Sequence, residues 1–149
     1  MIVPLLLDSV EVKVHVQYHL FFFADSEADE DPPLDPREHG NWFGASEAGV
    51  CFESDEDVVS ALMRFESWDG EAAIDSEQWS QTAEVTLAMT SGSISIMEIA
   101  GGALNDVFAL PAPGRYRVRL GWREGPLHPP GSDEPESFAL AQFWPTPRG

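Results

Sequence analysis

Acidic residues at alternate positions form the most regular chemical pattern in this chain. Glu53, Asp55 and Asp57 follow one another at every second position. If a strand continues through them, their carboxylates project from one side at steps of about 6.8 Å. A row of negative charge with this spacing could meet the lysines and arginines with which a protein grips phosphate groups. The alternative is a solvated turn that connects two strands, and the sequence leaves both interpretations open.

The other reactive residue types form no catalytic motif. Cys51 has no Cys-x-x-Cys partner and is typical of a small buried hydrophobic residue. His15 and His19 fall on one predicted strand, where a spacing of four residues separates them by about 13 Å, too far to share a metal ion. The sequence contains no Gly-x-Ser-x-Gly elbow, phosphate-binding glycine loop or His-Glu-x-x-His pair. We therefore predict that the protein is not an enzyme and has no cofactor.

Calcium binding is the metal chemistry to consider first in so acidic a chain, because carboxylates are calcium ligands. A calcium site needs several oxygen ligands that converge from a tightly turned loop, usually with a glycine at its sharpest point. Asp69-Gly70-Glu71 with Asp75 comes nearest to this pattern, whereas residues 27–31 have the acidic density without the glycine. We predict no metal site, and calcium stays an alternative.

The negative charge is concentrated in two blocks of the sequence. The formal net charge is -18, and residues 25–38 carry seven carboxylates against one arginine, while residues 53–77 carry nine against one. Like-charged surfaces repel one another over a Debye length of about 8 Å. This excludes nucleic acid and anionic membranes as direct partners and favours a basic protein. Adaptation to high salt is the other explanation for an acidic chain with Lys13 as its single lysine, but the clustering of the acids and the ordinary apolar fraction speak against it.

Positive charge is clustered as well. Arg115, Arg117 and Arg119 alternate with apolar residues and should project from one face of a strand at steps of about 7 Å. We expect them to pair across strands with acids, and an anion-binding strip is the alternative. The candidate acids for this pairing are Glu66, Glu84 and Glu98.

Strand periodicity covers most of the chain and predicts an all-β fold. A chain of 149 residues suits one domain, so residues 1–149 are predicted to form a single antiparallel β-sandwich of about eight strands, with a jelly roll as one variant. Ser91-Gly92 should form the turn of a hairpin, and residues 24–40 and 125–136 should be an acidic and a proline-rich surface loop. The predicted strands are Val10–Phe22, Gly49–Glu53, Val58–Trp68, Trp79–Thr90, Ser93–Ile99, Val107–Leu110, Arg115–Arg123 and Ser137–Trp144.

The N-terminal residues and the cysteine content bear on the compartment. Residues 1–7 are apolar, but they lack a basic region and a cleavage pattern, and no later run is long enough to span a bilayer. A single cysteine excludes an internal disulfide framework. We expect a cytoplasmic protein.

The order of these segments resembles the competence protein J family. The resemblance extends over residues 10–122 and rests on six short motifs. They are Val16-Gln17-Tyr18-His19, Gly49-Val50-Cys51-Phe52-Glu53, Arg64-Phe65, Ser93-Ile94-Ser95-Ile96, Phe108-Ala109-Leu110-Pro111 and Gly114-Arg115-Tyr116. The family consists of small acidic β-rich inhibitors of a DNA-entry nuclease, so the resemblance implies this fold and this activity without any catalytic residues. The acidic insertion at residues 25–38 and the proline-rich loop depart from the family pattern. The resemblance therefore implies the fold more directly than it implies the same partner.

Charge, periodicity and resemblance together predict a binding protein, an inhibitor or immunity-like partner of a basic protein such as a nuclease. Trp42 and Trp68 are candidate aromatic anchors of the interface, with a core role as the alternative for Trp42. The rival interpretation is a sandwich that binds a small ligand, a carbohydrate or calcium. The residues predicted to contact the partner are Glu53, Asp55, Glu56 and Asp57, with Asp29, Glu30 and Asp31 as a second patch.

Overall fold

The computed structural model describes residues 3–16, 19–28, 42–54, 59–74, 77–98, 102–126, 129 and 134–146, and all of its regular elements are β-strands. The strands are β1 (Leu6–Val16), β2 (Leu20–Asp25), β3 (Phe43–Ala45), β4 (Gly49–Glu53), β5 (Val59–Trp68), β6 (Gln81–Met89), β7 (Ser93–Glu98), β8 (Gly102–Ala109), β9 (Gly114–Glu124) and β10 (Ser137–Pro145). Across these described ranges, no helix is long and apolar enough to cross a lipid bilayer.

The ten strands form two five-stranded sheets that pack as a β-sandwich, which confirms the predicted fold class. Sheet A has the order β1-β5-β10-β9-β6, and sheet B has the order β3-β4-β2-β7-β8. All neighbouring strands are antiparallel except β5 and β10, which run parallel. The number of strands exceeds the predicted eight because the first predicted strand is divided in two and β3 was not anticipated.

The core lies between the two sheets and is built by period-two alternation. On β5, Ala61, Met63 and Phe65 are fully buried, as the sequence pattern predicts. Aromatic rings dominate the centre, where Phe23 packs edge-on against Phe65 with ring centroids 5.3 Å apart. The remaining rings of this cluster are Phe21, Phe52, Phe108, Tyr116, Trp122 and Phe143.

The long strand predicted from Val10 to Phe22 is wrong. The chain leaves sheet A after Val16 and enters sheet B at Leu20. His19 lies between the two strands with a φ of 69°, a left-handed conformation that a regular strand does not contain. After this turn the β2 residues that belong to the core cluster are Phe21 and Phe23, so the apolar side that faces the core changes from even to odd residue numbers.

The predicted hairpin at Ser91-Gly92 is also wrong, although the turn itself is present. Gly92 has a φ of +79°, as such a turn requires. However, β6 belongs to sheet A and β7 to sheet B, so the turn connects the two layers. The buried carboxylate of Asp25, at the end of β2, holds the turn by accepting the N–H groups of Ser91 (3.0 Å) and Gly92 (3.1 Å).

The segment between β5 and β6 crosses the outer face of sheet A. Arg119 on β9 donates to the carbonyl of Ala72, and Gln142 on β10 donates to the carbonyl of Ala73 at 3.3 Å. Further along the segment, the ring of Trp79 packs on Gly121, where an added Cβ would lie 3.0 Å from the indole. The segment thus covers part of this face. The outward-facing Trp144 is buried there too, and the Arg119 guanidinium lies 5.2 Å from the centroid of its ring.

The two predicted surface loops are described in part. Ala24 and Asp25 belong to β2 and are buried, so the acidic loop begins later than predicted. Residues 29–41 lie outside the described residues. In the proline-rich loop, the N–H of Gly125 donates to the carbonyl of Glu136 at 2.7 Å, which brings the ends of β9 and β10 together.

Candidate binding surface

Strands from both sheets end at one end of the sandwich, and several of them end on a glutamate. In sheet A, Val16 pairs with Val59 and Ser137 pairs with Glu124. In sheet B, Leu20 pairs with Glu53 and Phe21 pairs with Glu98. We call this end, with the carboxylates it gathers, the acidic end. Its described carboxylates are Glu53, Glu98, Glu124, Glu134 and Glu136.

Glu124 joins the two sheets at the acidic end. Its Oε1 accepts hydrogen bonds from the Ser54 hydroxyl at 3.2 Å and the Trp122 indole at 3.0 Å. Its Oε2 accepts a hydrogen bond from the Ser137 hydroxyl at 2.6 Å. Three strand ends, those of β4, β9 and β10, are therefore fixed to one carboxylate.

Ser54 also fixes the turn between β1 and β2. Its N–H donates to the carbonyl of His19 at 2.8 Å, and its own carbonyl lies 3.0 Å from Nδ1 of the His19 ring. His15 and His19 were predicted to share one strand, but only His15 belongs to β1, and His19 lies in the turn before β2. His19 is a structural residue of the acidic end.

Glu53 lies beside the partly buried Trp42. The N–H of Glu53 donates to the carbonyl of Trp42 at 2.9 Å. The indole of Trp42 packs against Phe43 and Phe52, with ring centroids 4.9 Å and 6.2 Å away, so this residue contributes to the core edge. On Glu53, Oε2 is buried and has no hydrogen-bond partner within the described part of the chain.

The other three glutamates of the acidic end bind neighbouring strands, Glu98 and Glu136 through their carboxylates and Glu134 through its backbone carbonyl. Glu98 Oε2 accepts the N–H of His15 at 2.7 Å, which ties β7 to β1. Glu136 accepts the N–H of Ser60 at 3.5 Å, while its own N–H donates to the Ser60 carbonyl at 2.8 Å. The Ser60 hydroxyl donates to the carbonyl of Glu134 at 3.2 Å. These bonds fix the backbone beside β5 and β10.

The structure describes only one of the predicted partner-contacting residues. Glu53 lies at the acidic end. Asp55, Glu56 and Asp57, between Ser54 and β5, lie outside the described residues, as do Asp29, Glu30 and Asp31 of the second patch. Of the two candidate anchors, Trp42 lies at the acidic end, whereas Trp68 pairs with Leu6 at the other end of sheet A and donates to Glu66.

Sequence reasoning missed four members of the acidic end. Glu98 and Glu124 are the last residues of β7 and β9, and Glu134 and Glu136 come just before β10. They are far apart in sequence, so no local pattern connects them. The available signal was their common position at predicted strand boundaries.

The arginine row lies on the outer face of sheet A, as predicted, and finds one of its three predicted acids. Arg117 pairs with Glu84 at 2.5 Å, and Arg119 reaches the same carboxylate at 3.3 Å. Arg119 also lies 3.7 Å from Glu71. Glu66 and Glu98, the other predicted partners of the row, bind Arg64 and the His15 N–H instead.

Glu66 is a buried carboxylate that accepts hydrogen bonds from three side chains. It accepts hydrogen bonds from Arg64 (2.5 Å), Trp68 (2.8 Å) and Gln142 (2.9 Å). Burial alone would raise the pKa of Glu66, but the hydrogen bonds from Arg64, Gln142 and Trp68 outweigh it and lower the pKa below its ordinary value. Glu66 is therefore ionised and neutralised in place.

The residues considered for metal or small-ligand binding have structural contacts. Asp69 accepts the N–H of Leu5 at 2.7 Å, Glu71 faces Arg119, and Asp75 is not described. Within the described ranges, no three His, Cys, Asp or Glu residues are grouped closely enough to hold a metal ion. Cys51 is buried, as predicted.

The five tryptophans are used in packing. Trp122 and Trp144 are buried, and Trp42 packs at the core edge. Trp68 is bound to Glu66, and Trp79 lies over Gly121 with the Arg123 guanidinium 5.8 Å from its ring. The indoles therefore stabilise the sandwich, and they do not form a common platform on which a sugar ring could stack.

Comparison with known proteins establishes the fold. No family model matches the sequence, and no curated protein matches it. Among solved structures, ComJ from Bacillus subtilis, an inhibitor of the DNA-degrading activity of NucA, superposes over 97% of this chain and 100% of its own, with a TM-score of 0.65 and 18% identity. The chain has the fold of ComJ. The protein of crocagin biosynthetic gene J superposes over 97% of this chain and 99% of its own, with a TM-score of 0.60 and 13% identity.

The ComJ-like fold confirms the architecture that the sequence resemblance implied. It extends over nearly the full length of both chains, so the residues outside the original motifs share the architecture as well.

Proposed function

We propose that this protein is a binding protein that inhibits a basic protein, with a nuclease as the target. The observation that carries the proposal is the convergence of five glutamates from both sheets at the acidic end. The net charge of -18 and the fold shared with ComJ, an inhibitor of a nuclease, support it. The proposal assigns no catalytic step to this chain.

Charges on the outer face of sheet A are paired with one another. The ion pairs between described residues join Arg64, Arg117 and Arg119 to Glu66, Glu71 and Glu84. All of them lie on or over the outer face of sheet A, which the crossing segment also covers. Negative charge on that face is thus partly neutralised within the chain. Among the described residues, Arg117 and Arg119 pair with Glu71 and Glu84, which lie outside the acidic end.

In the proposed mechanism, carboxylates of the acidic end occupy the cationic groove that a nuclease uses for the phosphates of DNA. Opposite charge accelerates the encounter, and long-range attraction between exposed charges weakens as salt is added. Glu53 and the adjoining Asp55, Glu56 and Asp57 are the proposed contacts. Asp29, Glu30 and Asp31 are proposed as a second contact patch.

The hydrogen bonds beneath the acidic end should favour tight binding. Glu124 fixes β4 to β9 and β10, and Ser54 fixes the turn at His19. A surface that is already ordered loses less conformational entropy when a partner binds. Trp42, partly buried beside Glu53, is the proposed apolar anchor at the centre of the interface.

Affinity capture at two salt concentrations tests the proposal. The immobilised protein is exposed to lysate of its source organism at about 0.05 M salt and eluted near 0.5 M, because charge-driven binding is screened over this range. We expect a basic nuclease among the eluted proteins, and we expect purified protein to suppress its DNA degradation. Retention of the same proteins at both salt concentrations, or undiminished DNA degradation, would contradict the proposal.

A further inference from the structure

Three of the four strands at the sheet edges carry features that hinder pairing with another chain. Sheet A ends on β1 and β6, and sheet B ends on β3 and β8. Edge strands expose backbone groups that can pair with a second chain, and bulges, charges or a short length prevent this. β3 has three residues, β1 has a register shift and a glutamate on the His15 N–H, and β8 contains the left-handed Asp106. β6 has none of these features.

β6 is a regular edge strand of nine residues without lysine, proline or glycine. It pairs with β9 in an unbroken register over all nine residues. The N–H of Ala88 donates to the carbonyl of Glu47 at 2.8 Å, so the backbone groups of the even-numbered residues point away from β9. Those of Thr82, Glu84 and Thr86 therefore lie along the open edge, and no described residue bonds to these backbone groups.

The side chains along this edge suit the addition of another strand. Thr82 and Glu84 are exposed on the outer face of sheet A. On the side that faces the core, Ala83 and Val85 are only partly buried, whereas Leu87 is fully buried. A strand added beside β6 would cover these apolar side chains and continue the polar outer face.

The carboxylate at the centre of the open edge is neutralised within the chain. Glu84 pairs with Arg117 at 2.5 Å and with Arg119 at 3.3 Å. A second copy of this acidic chain can therefore approach the centre of the edge without bringing two unpaired carboxylates together.

Three antiparallel registers would pair two or more of the outward residues with those of a second copy, and two of the three are unfavourable. A pair centred on Glu84 sets two carboxylates directly opposite each other, which is destabilising. A pair centred on Val85 places Thr82 of the second copy opposite Ala88, where the carbonyl of Glu47 already occupies the edge.

The register centred on Ala83 avoids both conflicts. Thr82 of each copy lies opposite Glu84 of the other, and the two residues exchange N–H···O bonds. The Thr82 hydroxyl can also donate to the opposite carboxylate, because an ionised carboxylate accepts about four hydrogen bonds. The small side chain of Ala83 suits the axis, where the Cα atoms of the two strands approach to about 4.5 Å.

We propose that this protein forms a symmetric dimer in which β6 pairs antiparallel with β6 of a second copy, centred on Ala83. The two A sheets then form one ten-stranded sheet. A two-fold axis through Ala83 relates the copies, so every contact occurs twice. Because the paired strands run in opposite directions, the two acidic ends point to opposite sides of the dimer.

Cysteine cross-linking tests the dimer and its register. Ala83→Cys places two thiols across the axis, at a Cα separation of about 4.5 Å that a disulfide can span. Val85→Cys is the matched control on the same side of β6, because its two copies lie about 14 Å apart in this register. We expect mild oxidation to yield a disulfide-linked dimer of Ala83→Cys and at least about tenfold less from Val85→Cys. The wild type, whose Cys51 is buried, gives the background.

Sedimentation equilibrium measures the reversible association. Thr82→Pro removes an N–H that bonds to the second copy, but it leaves the ladder with β9 intact because this N–H points away from β9. Thr82→Ala keeps the N–H and is the control. We expect the dimer dissociation constant to rise about tenfold or more for the proline variant and to stay within about threefold of the wild-type value for the alanine variant.

Far-UV circular dichroism shows whether the variants keep the fold. A wild type that stays monomeric would overturn the dimer, as would equal cross-linking of Ala83→Cys and Val85→Cys. Equal dimerisation of folded Thr82→Pro and Thr82→Ala would overturn it too. All of these measurements use this chain alone, so the dimer and the proposed inhibition fail or succeed separately.

Discussion

Ser54 and Glu124 connect the two sheets where the acidic end is formed: the Ser54 hydroxyl, just after β4 of sheet B, donates to Glu124 Oε1, at the end of β9 in sheet A, at 3.2 Å. Ser54 is almost fully buried, so water cannot easily replace this bond. The bond links the stability of the fold to the proposed binding surface, because it holds the strand ends of the two sheets together.

Removing the hydroxyl of Ser54 should therefore destabilise the fold. We expect Ser54→Ala to lower the free energy of unfolding by about 1 kcal/mol, since one buried hydrogen bond is lost. Urea denaturation measures the change. Glu124→Ala should cost more, about 2–3 kcal/mol, because the buried hydroxyls of Ser54 and Ser137 and the Trp122 indole lose their acceptor. Equal denaturation midpoints for Ser54→Ala and the wild type would contradict the structural role of this bond.

Glu66 should make the fold sensitive to acid. Its pKa is lowered in the folded protein, so ionised Glu66 contributes stability above its ordinary pKa of 4.5, and this contribution is lost as the pH falls through the lower, folded value. We expect Glu66→Gln to be less stable than the wild type at neutral pH and to lose less stability on acidification. The free energy of unfolding from about pH 6 to pH 3 measures this difference. If the free energy of unfolding fell equally with pH in both proteins, Glu66 would not be the cause of the acid sensitivity.

Gly121 and Trp79 should be coupled energetically. A side chain at position 121 meets the indole, which an added Cβ would approach to 3.0 Å. We expect Gly121→Val to destabilise the fold by about 1–3 kcal/mol by displacing the segment that crosses sheet A. In the background of Trp79→Ala the same substitution should cost clearly less, because the clash is gone. Thermal unfolding of the four proteins gives the coupling, and additive costs would contradict the contact.

Local alternation was sufficient to predict most strands. Alternate residues are apolar and buried over positions 61–65 of β5 and 116–122 of β9, and the arginine row projects from the opposite face of β9. Where the alternation continues through a turn, it wrongly predicts one long strand in place of two. Tyr18 and Leu20 extend the apolar pattern of β1 past Val16, so the sequence gives no sign of the left-handed His19 that ends it.

Long-range contacts determined what the sequence pattern could not. Ser91-Gly92 suits a hairpin, but the distant Asp25 binds its N–H groups and the two flanking strands enter different sheets. The acidic end has the same origin. Glu53 was predicted from its neighbours, whereas Glu98 and Glu124 join it only because β7 and β9 end at the same end of the sandwich as β4.

Inhibition by a variant that lacks three of the proposed contact charges tests the central claim most directly. The test variant is Glu53→Gln/Asp55→Asn/Asp57→Asn. The control, Asp8→Asn/Glu27→Gln/Glu47→Gln, removes the same number of charges at exposed acids elsewhere. The measurement is the rate of DNA degradation by the captured nuclease at increasing inhibitor concentration. We predict that the test variant inhibits at least about tenfold more weakly than the wild type and the control. Equal inhibition by the test and control variants would contradict a binding surface at the acidic end.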